Sequence, residues 1–241
     1  MRFCSFLLIS VMAMAAHASA EQLPSADEVV AKMIERDTQR HAALHGYTAV
    51  RRYVLENQRH HKRAEMVVRM KCVEDGSKEF ETVSASGWSS AQNHVFPRLL
   101  EGEREASLPG SRERSQITPE NYSFEMVGMD SVNNRSAYVI AINPKTENKY
   151  LVRGRIWVDR DDFAIVRIEG VPAKNPSFWI KSVHFVHSYQ KSGAFWLPVS
   201  DRSVTDVRIF GITELTIDYL DYVANASMLS TSRGPGSSSL P

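Results

Sequence analysis

Side chains that could serve as nucleophiles, bases or metal ligands are few in this sequence and poorly grouped. His60 and His61 are adjacent, so on an extended chain their side chains point apart, and a polar turn explains them better than a metal site. Asp159, Asp161 and Asp162 offer oxygen ligands for calcium, but no glycine or distal glutamate completes a known calcium loop. We therefore expect these aspartates to belong to a hairpin turn, and we predict no metal and no cofactor.

The remaining candidates for chemistry are a histidine pair and a cysteine. His184 and His187 are three residues apart, which places them on opposite faces of a strand. Cys72 shares a strand face with Met66, Val68 and Met70, and it is the one cysteine left if Cys4 is removed with a leader. We expect a buried core thiol rather than a nucleophile, and no disulfide.

The common catalytic signatures are missing from this sequence. It has no Gly-x-Ser-x-Gly elbow, no His-Glu-x-x-His helix, no paired-cysteine motif and no phosphate loop. With 29 Lys and Arg against 28 Asp and Glu, it also lacks the basic surplus of nucleic-acid-binding proteins. The basic run from Gln58 to Arg63 lies between two strand-like segments, where a solvated turn explains it better than a phosphate site. We expect a binding protein rather than an enzyme, with no nucleic-acid partner.

The first twenty residues have the pattern of a cleavable secretory signal peptide. Arg2 precedes an apolar run from Phe3 to Ala16, and Ala18-Ser19-Ala20 is a small-residue cleavage site. The sequence thus predicts export to the periplasm, with a signal peptide at 1–20 and one domain at 21–223. Residues 224–241, rich in Ser, Gly and Pro, are predicted to be a disordered tail.

One helix is predicted at the start of the domain. Ser25-Ala26-Asp27-Glu28 is a capping box, and the apolar residues that follow recur at helical spacing, with Gly46 as a plausible stop. Nothing precedes this helix for its apolar face to contact. We therefore expect it to cover a sheet formed by later residues.

The rest of the domain is predicted to be β-rich. A meander is expected first, at 47–56, 64–73 and 78–86, where connections are too short for parallel crossovers. A short helix around Phe96, Leu99 and Leu100 is then expected to lead into a long mobile loop extending to Thr118. Further strands are predicted at 122–127, 137–142, 150–158, 164–170, 178–189, 195–199, 203–210 and 214–221, which makes about eleven in all.

The segment from Phe178 to Val186 is compatible with two architectures. Successive side chains of a strand point to opposite faces of the sheet, and in this segment large apolar side chains occur at both sets of alternate positions. Both faces of the sheet there are therefore expected to be covered by other parts of the protein. A single curved sheet closed by helices meets that need, and so does an ordinary two-sheet sandwich.

The sequence from Asn121 onward resembles the LolA-like superfamily. The segments concerned are Asn121–Gly128, Asn134–Ile140, Arg155–Asp159 and Ala164–Ile168, and the likeness extends to about Tyr222. That superfamily includes periplasmic lipoprotein carriers and the N-terminal domain of the RseB-type regulator of envelope stress. The resemblance implies a mainly β fold in which a single curved antiparallel sheet, a half-barrel, is capped by helices and receives acyl chains on its apolar concave side.

Three functions remain open at this point. The first is a monomeric periplasmic carrier or receptor for a lipid or lipidated protein, of the outer-membrane lipoprotein-sorting type, whose partner is an acyl chain. The second is an envelope-stress regulatory protein that binds a membrane-anchored partner. The third, a hydrolase, is the least supported by the residues.

Alternation along the strands predicts which side chains line the concave side. The large apolar residues assigned to it as ligand-binding are Met66, Val68, Met70, Phe80, Phe96, Leu99, Leu100, Phe124, Trp157, Trp179, Phe185, Trp196, Leu215 and Ile217.

Overall fold

The structure is a computed structural model and describes residues 23–175 and 177–226. The predicted signal peptide lies outside the described residues, as do residues 227–241 of the predicted tail. Residues 224–226, which were assigned to that tail, instead form the end of the last strand. Over the described ranges, no helix combines the length and the hydropathy needed to cross a bilayer.

Helix α1 (Ala26–Ala43) begins at the predicted capping box. The Ser25 hydroxyl accepts from the backbone N–H of Glu28, and the Glu28 carboxylate accepts from the backbone N–H of Ser25. The helix ends three residues before Gly46, the stop that the sequence suggested. Gly46 lies within the following strand, at a φ of +108°, where a Cβ would be 2.5 Å from the Cys72 carbonyl oxygen. Close approach between two strands, and not helix termination, therefore requires this glycine.

The described residues form one antiparallel sheet of ten strands, and the predicted fold class is confirmed. The strands lie in the order β3-β2-β1-β10-β9-β8-β7-β6-β5-β4, so β3 and β4 are free edges and the sheet is not closed into a barrel. The strand bounds are β1 Leu44–Asn57, β2 Lys62–Cys72, β3 Lys78–Gly87, β4 Tyr122–Val132, β5 Arg135–Pro144, β6 Val152–Asp159, β7 Ile165–Pro172, β8 Ile180–Ser192, β9 Phe195–Val207 and β10 Gly211–Ala226.

The structure has ten strands and not the predicted eleven, because the strands predicted at 195–199 and 203–210 form one continuous strand, β9. The sequence suggested a break between Val199 and Ser203, where Pro198 and polar residues interrupt the apolar pattern. In the structure β9 runs through this stretch, and its register with β8 shifts where Pro198 faces Tyr189. A bulge absorbs the irregularity without ending the strand.

The segment between β3 and β4 is helical rather than a mobile loop. A π-helical turn, Ala91–Val95, leads into helix α2 (Phe96–Ser107), and a short helix α3 (Pro109–Glu113) follows. The polar run from Glu101 to Glu105, which the sequence pattern assigned to a loop, is the second half of α2. Charged residues with long side chains are good helix formers, so polarity alone did not indicate a loop here.

Both long helices lie on the same face of the sheet. Val29, Val30 and Met33 of α1 are buried together with the inward residues of β4, β5 and β6. At the other end of the strand order, Phe96 of α2 is buried against inward residues of β1, β2 and β10. Ile165 and Ile168 of β7 also pack against the α1 group, whereas no described residue of β8 or β9 belongs to either of the two groups.

The expectation that both faces of β8 need cover is not met. Phe178 and Trp179 precede the strand, which begins at Ile180, and both side chains are exposed. The apolar run that predicted two covered faces is thus partly a surface loop. A two-sheet sandwich is excluded for the described residues, because all ten strands belong to one sheet.

Candidate functional site

A cavity of about 440 Å³ lies over strands β7 to β10, with Glu103 of α2 in its lining. Its lining includes Lys78 of edge strand β3 and Tyr122 of edge strand β4, together with residues of β8, β9 and β10 between them. Side chains from both ends of the strand order can meet one cavity only if the sheet curls around it. The face that carries the helices is therefore the concave one.

The cavity floor is the set of inward side chains Ile168, Phe185, Leu215 and Ile217, from β7, β8 and β10. These residues belong to one face of the sheet: Phe185 pairs with Ser203, and Ser203 pairs with Leu215. The floor is mostly aliphatic and aromatic, and the small Ser203 lies at its centre. This geometry leaves room for an apolar group above the middle strands.

Two glycines face one another beside the floor. Gly154 of β6 pairs with Gly170 of β7, and Gly170 pairs with Phe185 of β8. A Cβ on Gly154 would lie 2.0 Å from the Glu169 carbonyl oxygen, so the two strands approach too closely for a side chain. No side chain projects inward from this row between Ile142 and Phe185, which widens the concave side.

A hydrogen-bonded polar group lies at one side of the floor. Asp201 Oδ2 accepts from the Tyr219 hydroxyl at 2.7 Å, and Asp201 Oδ1 lies 2.5 Å from His187 Nδ1. Burial raises the pKa of the Asp201 carboxyl, but the bond from His187 and the nearby charge of Arg51 outweigh it, so this pKa is lower than usual. Burial and the negative charge of Asp201 raise the pKa of Tyr219. Asp201 therefore provides an ionised carboxylate, held by His187 and Tyr219, beside the apolar floor.

A buried ion pair joins the sheet to helix α2. Arg51 of β1 is fully buried and donates two hydrogen bonds to the Glu103 carboxylate, at 2.7 and 2.9 Å. The Tyr53 hydroxyl donates to the same carboxylate at 3.2 Å, and the Arg51 guanidinium lies over the Tyr219 ring at 4.5 Å. Burial alone would lower the pKa of Arg51, but Glu103 raises it above the ordinary value. The pair keeps α2 over one side of the concave face.

Two further cavities adjoin the first. One of about 500 Å³ lies between the end of α1, the region of α2 and α3, and β9; one of about 310 Å³ lies between α1 and Ile165. Tyr189 lines all three cavities, and Lys78 and Glu103 line both larger ones. The largest cavity is the most polar, since Arg40, Glu74 and Arg112 also line it. The concave side therefore combines an apolar floor with a charged end.

Eight of the predicted site residues are brought together under helix α2. These eight residues come from β2, β3, α2 and β10, and they form one cluster with Tyr53 and Leu55 of β1. The eight are Met66, Val68, Phe80, Phe96, Leu99, Leu100, Leu215 and Ile217. Met70 is buried on the same strand face, with its sulfur 3.5 Å from an Arg51 nitrogen. Of these residues, Leu215 and Ile217 also line the 440 Å³ cavity.

The other five predicted residues are dispersed. Phe185 lines the 440 Å³ cavity, and Phe124 contacts the cluster under α1. Trp157 is on the opposite face of β6 from Ile156 and Val158, where its indole donates to Asp130 at 3.0 Å.

The remaining two predicted residues, both tryptophans, differ in their burial. Trp196 contacts the Trp157 cluster and also lines the 500 and 310 Å³ cavities. Trp179 is 56 % exposed and lies outside the concave side altogether. A one-residue step along a strand exchanges its faces, which explains the placement of Trp157.

The residues first considered for chemistry have structural partners. Asp159 accepts two hydrogen bonds from Arg135 in a hairpin turn, and His61 lies in the β1–β2 turn with a φ of +48°. His184 and His187 are on opposite faces of β8, as predicted. Among the described residues, no group of three His, Cys, Asp or Glu side chains could hold a metal ion. Cys72 lines the 500 Å³ cavity, and burial raises the pKa of its thiol.

Several residues of the site were missed by the sequence analysis. His187 and Tyr189 continue the alternating set that starts at Phe185, so that alternation was the signal that could have found them. Arg51 and Glu103 had no such signal. A charged residue in the middle of a strand, such as Arg51, predicts solvent exposure. The segment that contains Glu103 was predicted to be a loop.

A model of a family described as a family of unknown function, DUF5686, matches residues 116–226. No curated protein matches the chain. The chain is similar to the crystal structure of a DUF1329 family protein from Desulfovibrio piger, with 10% identity, 86% of this chain and 95% of that one covered, and a TM-score of 0.42.

Two further solved structures belong to the group named by the sequence resemblance. An outer membrane lipoprotein-sorting protein domain from Vibrio parahaemolyticus is 11% identical over 85% of this chain and 95% of that one, with a TM-score of 0.43. A LolA superfamily protein from Nitrosomonas europaea is 11% identical over 83% of this chain and 93% of that one, with a TM-score of 0.39.

Proposed function

We propose that this protein binds the acyl chain of a lipid or lipidated protein in the cavity between its curved sheet and its helices, and acts in the periplasm as a carrier or receptor. The observation that carries the proposal is the apolar floor of Ile168, Phe185, Leu215 and Ile217, which faces a cavity on the concave side of the sheet. Ligand cavities in proteins are commonly about 300–1,000 Å³ and mostly apolar. A cavity of about 440 Å³ is within that range.

The driving force for binding is burial of the acyl chain. Each methylene group removed from water contributes about 0.8 kcal/mol, so a chain of ordinary length supplies several kcal/mol before ordering costs. The ionisable groups near the floor have partners, since Arg51 pairs with Glu103 and Asp201 is hydrogen-bonded to His187 and Tyr219. They therefore do not require a charged ligand over the floor.

The polar end of the ligand would lie toward the 500 Å³ cavity. Lys78 lines both that cavity and the apolar one, and Arg112 and Arg40 line the larger cavity beyond it. An amphipathic ligand fits this arrangement, with its acyl chain over Phe185 and its head group near Lys78. Catalysis is not part of the proposal, and neither is a cofactor.

The test is uptake of a fluorescent fatty acid by protein purified without detergent, together with native mass spectrometry of the same protein. We expect saturable uptake and an added mass that corresponds to a lipid. Ser203→Trp places a large side chain over the centre of the floor, so it should abolish uptake. Ser182→Trp is the matched control, because Ser182 is exposed on the neighbouring strand and does not line the cavity. A clean mass with no uptake by the wild type would exclude the proposal.

The same preparation distinguishes the alternative function. Recovery of a membrane-anchored protein in place of lipid would favour the regulatory protein of the envelope-stress type. Periplasmic action is tested separately, by fractionation and N-terminal sequencing. We expect a mature protein that starts at Glu21, and a cytoplasmic protein with an intact N terminus would contradict it.

A further inference from the structure

Four large apolar side chains are exposed together at one end of the sheet. Phe178 (75 % exposed) and Trp179 (56 %) precede β8, and Ile209 (58 %) and Phe210 (45 %) form the turn between β9 and β10. We call these four residues the apolar rim. Scattered exposed apolar residues are ordinary, whereas a contiguous group on a protein surface marks an interaction site.

Hydrogen bonds hold the two loops of the rim against each other. The backbone N–H of Arg208 donates to the Trp179 carbonyl at 2.9 Å, and Arg208 Nε donates to the Phe178 carbonyl at 2.7 Å. The Arg208 guanidinium lies 4.7 Å from the centre of the Phe178 ring, which contacts the Trp179 ring edge to face. The rim is therefore an organised surface and not a pair of unrelated loops.

The β1–β2 turn completes this end of the sheet. Asn57 donates to the Phe210 carbonyl at 2.9 Å, and Arg59 donates to the Ile209 carbonyl at 3.2 Å. The His60 ring lies 6.1 Å from the Phe210 ring. Three loops from different parts of the chain thus form one continuous surface.

The charge of this surface differs from that of the chain as a whole. Residues 57–62, 173–175, 177–181 and 207–212 contain five Lys or Arg residues, two histidines and no Asp or Glu; the five are Arg59, Lys62, Lys174, Lys181 and Arg208. The whole chain is nearly neutral, with 29 basic against 28 acidic residues. Among the five, Lys181 pairs with a carboxylate, that of Asp206 at 3.3 Å. The apolar rim is therefore surrounded by a local positive surplus.

We propose that this end of the sheet docks on the surface of an anionic phospholipid bilayer. Tryptophan and phenylalanine settle at the boundary between head groups and acyl chains, where one side of the ring is apolar and the other is wet. Basic residues around them are attracted to anionic head groups by about 1 kcal/mol each. A protein partner would need an apolar patch and acidic groups of matching outline, whereas an anionic bilayer supplies both chemistries at any orientation. The inference concerns the outer surface and stands apart from the occupant of the cavity.

The test is flotation of the full chain with vesicles of phosphatidylglycerol and phosphatidylcholine in equal parts, compared with vesicles of phosphatidylcholine alone. We expect binding to the anionic vesicles, and loss of it in Phe178→Ser/Trp179→Ser. Lys62→Gln/Lys174→Gln should weaken binding roughly fivefold per charge removed, and salt should weaken the wild type because exposed charges are screened. Val83→Ser/Val127→Ser is the matched control, since both valines are exposed away from the rim, and it should float like the wild type.

Three results would overturn the inference. These are equal flotation of all variants, no flotation of a folded wild type, and a dimer in solution that the rim variant abolishes without any vesicle binding. The last result would assign the rim to a second copy of the chain. Circular dichroism and thermal unfolding establish that each variant is folded. The Ser203→Trp variant should still float, so failure of vesicle binding and failure of fatty-acid uptake are separate results.

Discussion

Arg51 and Glu103 form a two-point ion pair, at 2.7 and 2.9 Å, between the centre of the sheet and helix α2. The Arg51 side chain is 1 % exposed, so loss of its partner leaves a charge away from water. We expect Glu103→Gln to lower the free energy of unfolding by about 3 kcal/mol, the cost of an uncompensated buried charge. Urea unfolding measures this directly.

The control for that variant is on the same helix. Glu101 pairs with Arg104 on the exposed side of α2, so Glu101→Gln should change stability by no more than about 0.5 kcal/mol. The double variant Arg51→Met/Glu103→Leu should recover most of the loss, because it removes both charges and also the buried Arg51 Nε, which has no hydrogen-bond partner. A double variant as unstable as Glu103→Gln would show that packing, and not the buried charge, is responsible.

Asp201 should make stability depend on pH in the acid range. Its pKa is lower in the folded protein than its ordinary value of about 3.9, so its contribution is fully present above about pH 4. As pH falls through the lowered pKa, the folded carboxylate becomes protonated and the contribution is lost. The difference in unfolding free energy between wild type and Asp201→Asn should therefore shrink as pH falls from 5 toward about 3. A difference that stays constant over that range would contradict the prediction.

Gly154 and Gly102 should respond oppositely to alanine. Gly154 faces backbone atoms of β7, so Gly154→Ala should destabilise the protein by about 1–3 kcal/mol through overpacking. Gly102 lies in the exposed part of α2, with no atom within 4 Å of an added Cβ, so Gly102→Ala should stabilise it by about 1 kcal/mol. Thermal unfolding of the two variants beside the wild type provides the comparison. Equal effects would mean that β6 and β7 can separate at low cost.

The Cys72 thiol should react slowly. Burial raises its pKa, so less thiolate is present at mildly alkaline pH than in a free cysteine. In a Cys4→Ser background, alkylation by iodoacetamide should be slower than that of a model peptide and should reach the peptide rate in urea. A native rate as fast as the peptide's would place the thiol in solvent.

Local patterns predicted the elements of this fold well. The capping box at Ser25 and Glu28 involves residues three apart. Between the predicted strands at 122–127 and 137–142, the β4–β5 turn depends on Asn133 and Asn134, which adopt a positive φ readily. Alternation correctly placed Cys72 on the same strand face as Met66, Val68 and Met70. It did not predict the bulge at Pro198, through which two predicted strands form one continuous strand. Interactions between residues that are close in the chain can be predicted from the sequence, because one local pattern contains both partners.

The site depended on contacts that local patterns do not contain. Arg51 is separated from Glu103 by 52 residues, and neither position indicates the other. Trp179 had the apolar character expected of a cavity residue, yet it lies in an exposed loop because the strand begins one residue later. Which apolar residue faces the interior is decided by register and curvature, and these follow from pairing of the whole sheet.

The strand order has a consequence for how the chain folds. Strand β1 pairs with β10, so the first and tenth strands are neighbours inside the sheet, third and fourth from the β3 edge, and the hairpins on either side are joined through them. Residues such as Tyr53 and Ile217, 164 positions apart, must meet before the two halves become one structure. Such a high contact order predicts slow folding that cannot finish until β10 has been synthesised.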